Sequence, residues 1–150
     1  MKDEEVVSGV GGAFIFSEDP GRLAAWYTRH LGIDFEGAEE FGAFYRMYVA
    51  ADPQRPGRRL DTTFSIMQAG FPTVRPAPER EPESMYGDQP FMVNLRVNDL
   101  EAVEARLAAG GVPVIARLDE PYGRFAWVRD ADGNRVELYE PADFPEGASP

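Results

Sequence analysis

The pattern of apolar and polar positions divides the chain into two halves that repeat the same order of elements. In each half an apolar run comes first, and a stretch with helical spacing of its apolar residues follows. Asp19 and Asp99 precede the two helical stretches, where a carboxylate can accept hydrogen bonds from the free amides of the first turn. Gly32 and Gly111 follow them and supply a left-handed stop. The sequence therefore predicts one helix in each half, bounded on both sides.

Short stretches with strand character follow each predicted helix. They lie around Phe35 and at 42–49 and 62–68 in the first half, and at 112–118, 123–129 and 135–140 in the second. The last two flank "DADGN", which has the turn chemistry of a hairpin loop. The arginine-rich run "RPGRRL" reads as a solvated loop. Each half is predicted to run strand, helix, strand, strand, strand, which makes an α+β fold.

A proline-rich segment separates the halves. Residues 71–90 include five prolines, and a connection of that length is typical of a linker or of a functional lid. We therefore expect a first module at 1–70, a linker at 71–90, a second module at 91–141 and a tail at 142–150, within one structural domain. A plain linker is the favoured interpretation of 71–90.

The composition narrows the classes of function. The chain carries 26 acidic and 15 basic residues, so its formal charge is -11, which disfavours nucleic acid as a partner. It contains no cysteine, which excludes thiol chemistry and disulfides and fits a reducing compartment. The N-terminal residues have no long apolar run, which argues against a signal peptide or a membrane span. We expect a cytoplasmic protein.

Three segments together resemble a known superfamily. "DPGRLAAWYTRHLG", "VNLRVNDLEAVEARLAAGG" and "GRFAWVRDADGNRVELYEP" are similar to segments of the vicinal oxygen chelate superfamily, which includes glyoxalase I, extradiol dioxygenases, fosfomycin-inactivating enzymes and bleomycin-binding proteins. The resemblance implies two βαβββ modules whose sheets curve around a shared cleft. It also implies a homodimer.

The same resemblance implies where metal ligands would lie, typically His and Glu on the first and last strands of each module. Glu137 matches the carboxylate position, but the equivalent positions hold Gly12, Met92 and about Ser65. The only histidine, His30, lies at the end of the first predicted helix. We therefore expect no metal and no cofactor. A set of oxygen ligands from Glu137, Asn94 and Gln68 remains an alternative for a hard cation.

Strand alternation predicts which side chains line the cleft, because successive residues of a strand point to opposite faces. The uniformly apolar alternate residues should lie under the helices, which turns the others toward the cleft. The predicted lining is Phe14, Phe16, Met92, Asn94, Arg96, Phe125, Trp127, Glu137 and Tyr139. An apolar, aromatic surface with a few polar groups is the usual composition of a small-molecule site.

The leading functional hypothesis is a metal-independent protein that binds an aromatic or drug-like metabolite. The alternatives are a lyase, isomerase or epimerase with Glu137 as general base and Arg96 as oxyanion stabiliser, a metal-dependent glyoxalase- or dioxygenase-like enzyme, and an interaction module without a ligand. Arg96 and Glu137 also fit a simple ion pair across neighbouring strands, and the aromatic residues fit a core or an interface.

Overall fold

A computed structural model of the chain describes residues 6–81, 87 and 89–148. The elements of the first half are β1 (Gly12–Ser17), α1 (Pro20–Leu31), β2 (Glu36–Ala38), β3 (Ala43–Asp52) and β4 (Arg55–Gln68). Those of the second half are β5 (Val93–Arg96), α2 (Leu100–Ala109), β6 (Ala116–Glu120), β7 (Gly123–Arg129) and β8 (Arg135–Pro141). The predicted repeat of strand, helix and three strands is present in both halves.

Each half forms its own four-stranded mixed sheet. The strand orders are β1-β4-β3-β2 and β5-β8-β7-β6, so β1 and β5 occupy equivalent outer positions. In each sheet the first strand runs parallel to the last, and the remaining pairs are antiparallel. The α+β fold of two βαβββ modules is confirmed.

The predicted helix boundaries correspond to capping contacts. Asp19 accepts a hydrogen bond from the amide of Arg22 at 3.0 Å, and Asp99 accepts one from the amide of Ala102 at 3.0 Å. Gly32, at φ 70°, ends α1 in the left-handed conformation that favours glycine. Both helices are far too short to cross a membrane, and the described residues contain no other helix that could do so.

One hydrophobic core joins the two modules. It is formed by the inner faces of both sheets and by both helices: Leu23, Ala24, Tyr27, Ile33, Phe64, Ile66, Leu100, Leu107, Ala126, Val128, Val136 and Leu138. The helices meet where they end. A Cβ atom at Gly110 would lie 2.6 Å from the ring of His30, so any larger residue there would displace the ring.

The guanidinium of Arg106 completes the contact between the helices. It donates hydrogen bonds to the carbonyl oxygens of Thr28 and Arg29, which belong to the last turn of α1. The Thr28 carbonyl also accepts from the amide of Gly32, so the guanidinium adds to the backbone cap, and a side chain of α2 helps to cap α1.

A buried polar cluster also joins the modules. The turn between β7 and β8 supplies Asp130 and Asp132, which are 6% and 0% exposed. Asp130 accepts from the Tyr27 hydroxyl at 2.7 Å, and Asp132 accepts from the Ser17 hydroxyl at 2.6 Å. We call this group the inter-module cluster; its members are Ser17, Arg22, Tyr27, Thr73, Asp130 and Asp132.

The structure contradicts two local predictions, one of a loop and one of a strand boundary. The run "RPGRRL" is not a loop, because its backbone pairs with β3 and extends β4 back to Arg55, although its side chains remain exposed. The strand predicted at 112–118 begins only at Ala116. The amide of Val112 instead donates to the carbonyl of Leu107 at the end of α2, and Pro113 has no amide hydrogen for a sheet.

Candidate functional site

Each sheet has an open face, opposite the face that packs on the helices. In the first sheet, Ala13 and Ile15 pack against the core, and Phe14 and Phe16 point the other way. Their exposed fractions are 61% and 50%, which is high for phenylalanine. The faces of β1 therefore hold the side chains that strand alternation predicts for them.

An open groove of about 1360 Å³ runs along β1 and β5. Five of the nine predicted site residues line it: Phe14, Phe16, Met92, Asn94 and Arg96. The linker contributes Phe71 to the same groove. The groove thus brings residues of both modules and of their connection to one place.

The other four predicted residues lie farther across the second sheet. Phe125, Trp127, Glu137 and Tyr139 belong to β7 and β8 and do not line the groove. Phe125 stacks on Tyr139 with the ring centroids 4.9 Å apart, and on Trp127 at 6.1 Å. Tyr122 meets the edge of Phe125 at 5.7 Å. We call these four rings (Tyr122, Phe125, Trp127 and Tyr139) the aromatic shelf.

Within the shelf the rings differ in accessibility. Phe125 and Trp127 are 9% and 1% exposed, whereas Tyr122 is 62% exposed and Tyr139 is half-buried. A ligand on the shelf would therefore touch the two tyrosines first. Trp127 forms part of the wall behind them.

Asn94 connects the groove to the shelf. It lies directly opposite Glu137 in the parallel pair of β5 and β8, and its side-chain amide donates to Glu137 Oε2. Arg96 lies opposite Tyr139 and forms no ion pair with Glu137 or with any other described residue. The cross-strand ion pair considered from the sequence is absent here, and the partner of Glu137 is an amide.

The residues at the expected metal positions do not fit a divalent transition metal. Gly12, Ser65 and Met92 provide neither imidazole nor carboxylate, and Glu137 is already engaged by an amide. Among the described residues, no three His, Cys, Asp or Glu side chains lie close enough together to hold a metal ion. We therefore derive no step that passes through a metal.

The histidine has a structural environment. His30 is 6% exposed, packs against the Trp26 ring at 5.0 Å between centroids, and lies against Gly110. Its burial, followed by the positive charges of Arg29 and Arg106, lowers its pKa below the usual value of 6.5. His30 is not among the residues that line the groove.

A second polar region at the end of the shelf was not predicted. Arg129 and Arg135 lie opposite each other on β7 and β8, on the same face as Trp127 and Glu137. Arg129 forms two hydrogen bonds of 2.9 Å with the carboxylate of Glu81, from the linker. Gln89, also from the linker, accepts from the amide of Arg135 at 2.8 Å. We call Glu81, Gln89, Arg129 and Arg135 the arginine corner.

The sequence could have predicted which face of the sheet these two arginines occupy, but not that they are buried. The alternation that turns Trp127 and Glu137 toward the open face does the same for Arg129 and Arg135, two residues away on each strand. Strand alternation does not predict that the two arginines are buried, because their burial depends on the linker. Only 2% of Arg135 is exposed.

The start of the linker is attached to both modules. The amides of Thr73 and Val74 donate to the carboxylate of Glu18, and the amide of Arg75 donates to the carbonyl of Asp132 at 2.7 Å. A Cβ atom at Gly133 would lie 2.5 Å from the carbonyl oxygen of Arg75, so the linker passes close over the hairpin turn. Residues 82–86 and 88 of the predicted linker lie outside the described residues.

Solved structures with the same fold belong to proteins of different kinds. A lactoylglutathione lyase from Agrobacterium tumefaciens is 15% identical, with a TM-score of 0.58 over 91% of this chain and 96% of that one. TnmS3, an antibiotic binding protein from Streptomyces sp. CB03234, is 23% identical, with a TM-score of 0.58 over 93% and 100%. A putative glyoxalase family protein from Bacillus anthracis is 14% identical, with a TM-score of 0.62 over 93% and 100%. At these identities the similarity shows the fold alone.

No curated protein sequence matches the chain. The family model described as Glyoxalase/Bleomycin resistance protein/Dioxygenase superfamily matches residues 9–138, which are most of the chain. The three sequence segments that carry the resemblance lie within this range, except for residues 139–141 at the end of the third segment. The protein therefore belongs to the Glyoxalase/Bleomycin resistance protein/Dioxygenase superfamily.

Proposed function

We propose that the protein binds an aromatic small molecule without a metal, in the groove between the modules and on the adjoining aromatic shelf. The main support is the composition of the groove, where two largely exposed phenylalanines, Phe14 and Phe16, lie beside the polar groups of Asn94 and Arg96. Planar aromatic ligands stack on such rings, and convergent polar groups fix their orientation. TnmS3, an antibiotic binding protein with the same fold, supports the same class of function.

Binding of a neutral aromatic probe tests the proposal. Isothermal titration of 2-naphthalenemethanol should show saturable binding to protein dialysed against a chelator. Phe14→Ala should weaken it about tenfold, since a lost aromatic contact and its buried area are worth roughly 1.4 kcal/mol or more. Phe144→Ala is the matched control, because Phe144 is 63% exposed and does not line the groove.

Two results would contradict this proposal. One is binding of the probe that Phe14→Ala and Phe144→Ala weaken equally, which would place it outside the groove. The other is a stoichiometric transition metal in untagged protein, measured by elemental mass spectrometry, whose removal abolishes binding.

A specific contact favours a second candidate, an enzyme that uses Glu137 as a general base. Asn94 holds one carboxylate oxygen of Glu137, while the other has no hydrogen-bond partner in the described part of the chain. A carboxylate fixed in this way can take a proton from a bound substrate. Glu137→Gln keeps the shape and the contact with Asn94, so loss of turnover with retained ligand affinity would identify catalysis, and unchanged turnover would exclude the role.

We also propose a homodimer that covers the groove. Within the described residues the outer strands β1 and β5 have no neighbouring strand on one side, and Phe14 and Phe16 are exposed beside that edge of β1. Unpaired strand edges and exposed apolar side chains both favour association. Light scattering after size exclusion should give about 33 kDa, twice the protomer mass of 16.7 kDa; a monomer at every concentration would contradict the proposal.

A further inference from the structure

The arginine corner and the adjoining Trp127 contain hydrogen-bond donors that have no acceptor among the described residues. Nε and Nη1 of Arg135 and Nε1 of Trp127 are buried and have no hydrogen-bond partner among the described residues. Arg135 is 2% exposed and Trp127 is 1% exposed. A buried donor without an acceptor is costly, and more so when it is charged, so native proteins rarely leave one unpaired.

The three donors belong to one surface. Trp127 pairs with Glu137 and Arg135 with Arg129, which places Trp127 and Arg135 on the same face of adjacent strands, two positions apart. Side chains in such diagonal positions are within reach of each other. One acceptor group with two oxygens can therefore serve both.

The neighbouring carboxylate of the protein does not fill this role. Glu81 Oε2 is 4.0 Å from Arg135 Nη1, beyond hydrogen-bond distance, because both Glu81 oxygens bond to Arg129. Glu81 does help to keep Arg135 charged, since it opposes the effect of burial, which lowers the pKa of Arg135. The corner therefore presents a charged guanidinium whose Nε and Nη1 donors have no acceptor in the described part of the chain.

The corner is also within reach of a ligand. Arg135 lines the same groove as Phe14, Phe16 and Arg96, and Trp127 is the last ring of the aromatic shelf. An acidic group attached to an aromatic body in the groove would meet Arg135 at one end of it.

We propose that Arg135 and Trp127 bind the carboxylate of an acidic aromatic ligand. This inference rests on the proposed function and adds the chemical class of the ligand. One carboxylate oxygen can accept from an unpaired guanidinium nitrogen of Arg135, and the other can accept from the indole nitrogen of Trp127. A singly charged carboxylate fits better than a phosphate dianion, because Glu81 lies within 4.0 Å of Arg135 and repels the additional charge.

A pair of probes of the same shape tests the inference. Sodium 2-naphthoate should bind the wild-type protein at least about tenfold more tightly than 2-naphthalenemethanol, as expected for hydrogen bonds to a charged group. In Arg135→Met the two dissociation constants should come within about twofold, because the charge-assisted contact that gives the tenfold preference is lost. Arg124→Met is the matched control, because Arg124 is a half-exposed arginine on β7 that points to the other side of the sheet and should keep the preference.

A spectroscopic signal locates the contact. The chain has two tryptophans, so its spectrum has two indole N–H signals, and Trp26→Phe assigns the one from Trp127. Naphthoate should move the Trp127 signal downfield in the wild type and leave it in place in Arg135→Met. Arg135→Met should unfold at the wild-type temperature or higher, since it removes two buried donors without acceptors. Arg135→Lys keeps the charge without the planar guanidinium donors and should retain only part of the preference.

The outcomes separate this inference from the proposed function. Equal affinity of the wild type for both probes would contradict the inference that the ligand is acidic, but it would be consistent with the proposed binding of an aromatic molecule. If neither probe binds, the proposed function fails, but titration with acetate still tests carboxylate binding at the arginine corner. A saturable shift of the Trp127 indole signal would support carboxylate binding there. The absence of any such shift with acetate and with naphthoate would contradict it. A lower melting temperature of Arg135→Met with an unchanged preference for naphthoate would show that Arg135 is structural.

Discussion

The hydroxyl of Tyr27 donates a hydrogen bond of 2.7 Å to Asp130 Oδ2, although 103 residues separate the two in the chain. Tyr27 is fully buried on α1 of the first module, and Asp130 lies in the hairpin turn of the second. Burial raises the pKa of Asp130, while the hydrogen bonds from Tyr27, Asn134 and nearby amides act in the opposite direction. The contact therefore links the stability of one module to the position of the other.

Removal of the Tyr27 hydroxyl should destabilise the whole chain. Tyr27→Phe deprives buried Asp130 of a donor, and we expect a loss of about 1–3 kcal/mol in the free energy of unfolding. Tyr122→Phe is the control, because Tyr122 is 62% exposed, and it should change stability by less than about 0.5 kcal/mol. Urea denaturation followed by circular dichroism measures both; an equal effect of the two variants would contradict the role of the contact.

Removal of the Asp132 carboxylate should lower the free energy of unfolding more than removal of the Tyr27 hydroxyl does. Asp132 accepts from the Ser17 hydroxyl, the Thr73 hydroxyl and the Arg22 guanidinium, and it is fully buried. Asp132→Ala should lose about 3 kcal/mol, the lower end of the range for breaking a buried ion pair, because Arg22 is half-exposed.

Asp119→Ala is the control for that variant, since Asp119 is 76% exposed and pairs with Arg124 only at the surface. We expect a change below about 0.5 kcal/mol. Asp132→Asn keeps an acceptor for Ser17 but not the charge, so its stability should fall between those of the wild type and Asp132→Ala. A fully stable Asp132→Ala protein would show that the inter-module cluster contributes nothing.

His30 should make the protein sensitive to mild acid. Its pKa is lowered in the folded protein, chiefly by burial, so the unfolded chain binds a proton more readily. Stability should therefore fall as the pH drops below 6.5, and the loss should stop growing once the pH is below the folded pKa. Because the chain has one histidine, a single ring signal in a proton spectrum reports the titration. A midpoint at or above 6.5 would contradict the prediction, and His30→Gln should reduce the acid sensitivity.

The Arg106 cap should stabilise the contact between the helices. Arg106→Met removes the donors to the carbonyls of Thr28 and Arg29 together with a positive charge at the C-terminal end of α1. We expect a loss of about 1 kcal/mol in the free energy of unfolding, a low value because the contacts are exposed. Arg117→Met, which removes only an exposed ion pair with Glu104, should lose less than about 0.5 kcal/mol. If Arg117→Met is the more damaging, the cap is unimportant.

The parts of the fold that depend on neighbours in sequence could be predicted. Asp19 and Asp99 cap helices because the amides they bond lie three residues away, and β7 and β8 follow from alternation around a short turn. The beginning of β6 could not be predicted in this way. Val112 and Pro113 look like strand residues, yet the amide of Val112 is required at the end of α2.

The candidate site shows the same limit. Alternation correctly separates Val136 and Leu138, which lie in the core, from Glu137 and Tyr139, which do not. It cannot tell that Trp127 is covered while Tyr139 remains partly accessible, or that Asn94 rather than Arg96 meets Glu137. Those facts depend on strand register and on the path of the linker, which are set by contacts distant in sequence.

The inter-module cluster also has a consequence for synthesis on the ribosome. Ser17 and Tyr27 leave the exit tunnel long before Asp132 and Asp130, their acceptors 115 and 103 residues later in the chain. Until then the nascent first module must keep these hydroxyls in water or leave them buried without an acceptor. Its helix therefore docks completely only after the turn between β7 and β8 has emerged, and such distant contacts slow folding. Emergence of that turn, rather than completion of the first module, marks the point at which the native contact between the modules becomes accessible.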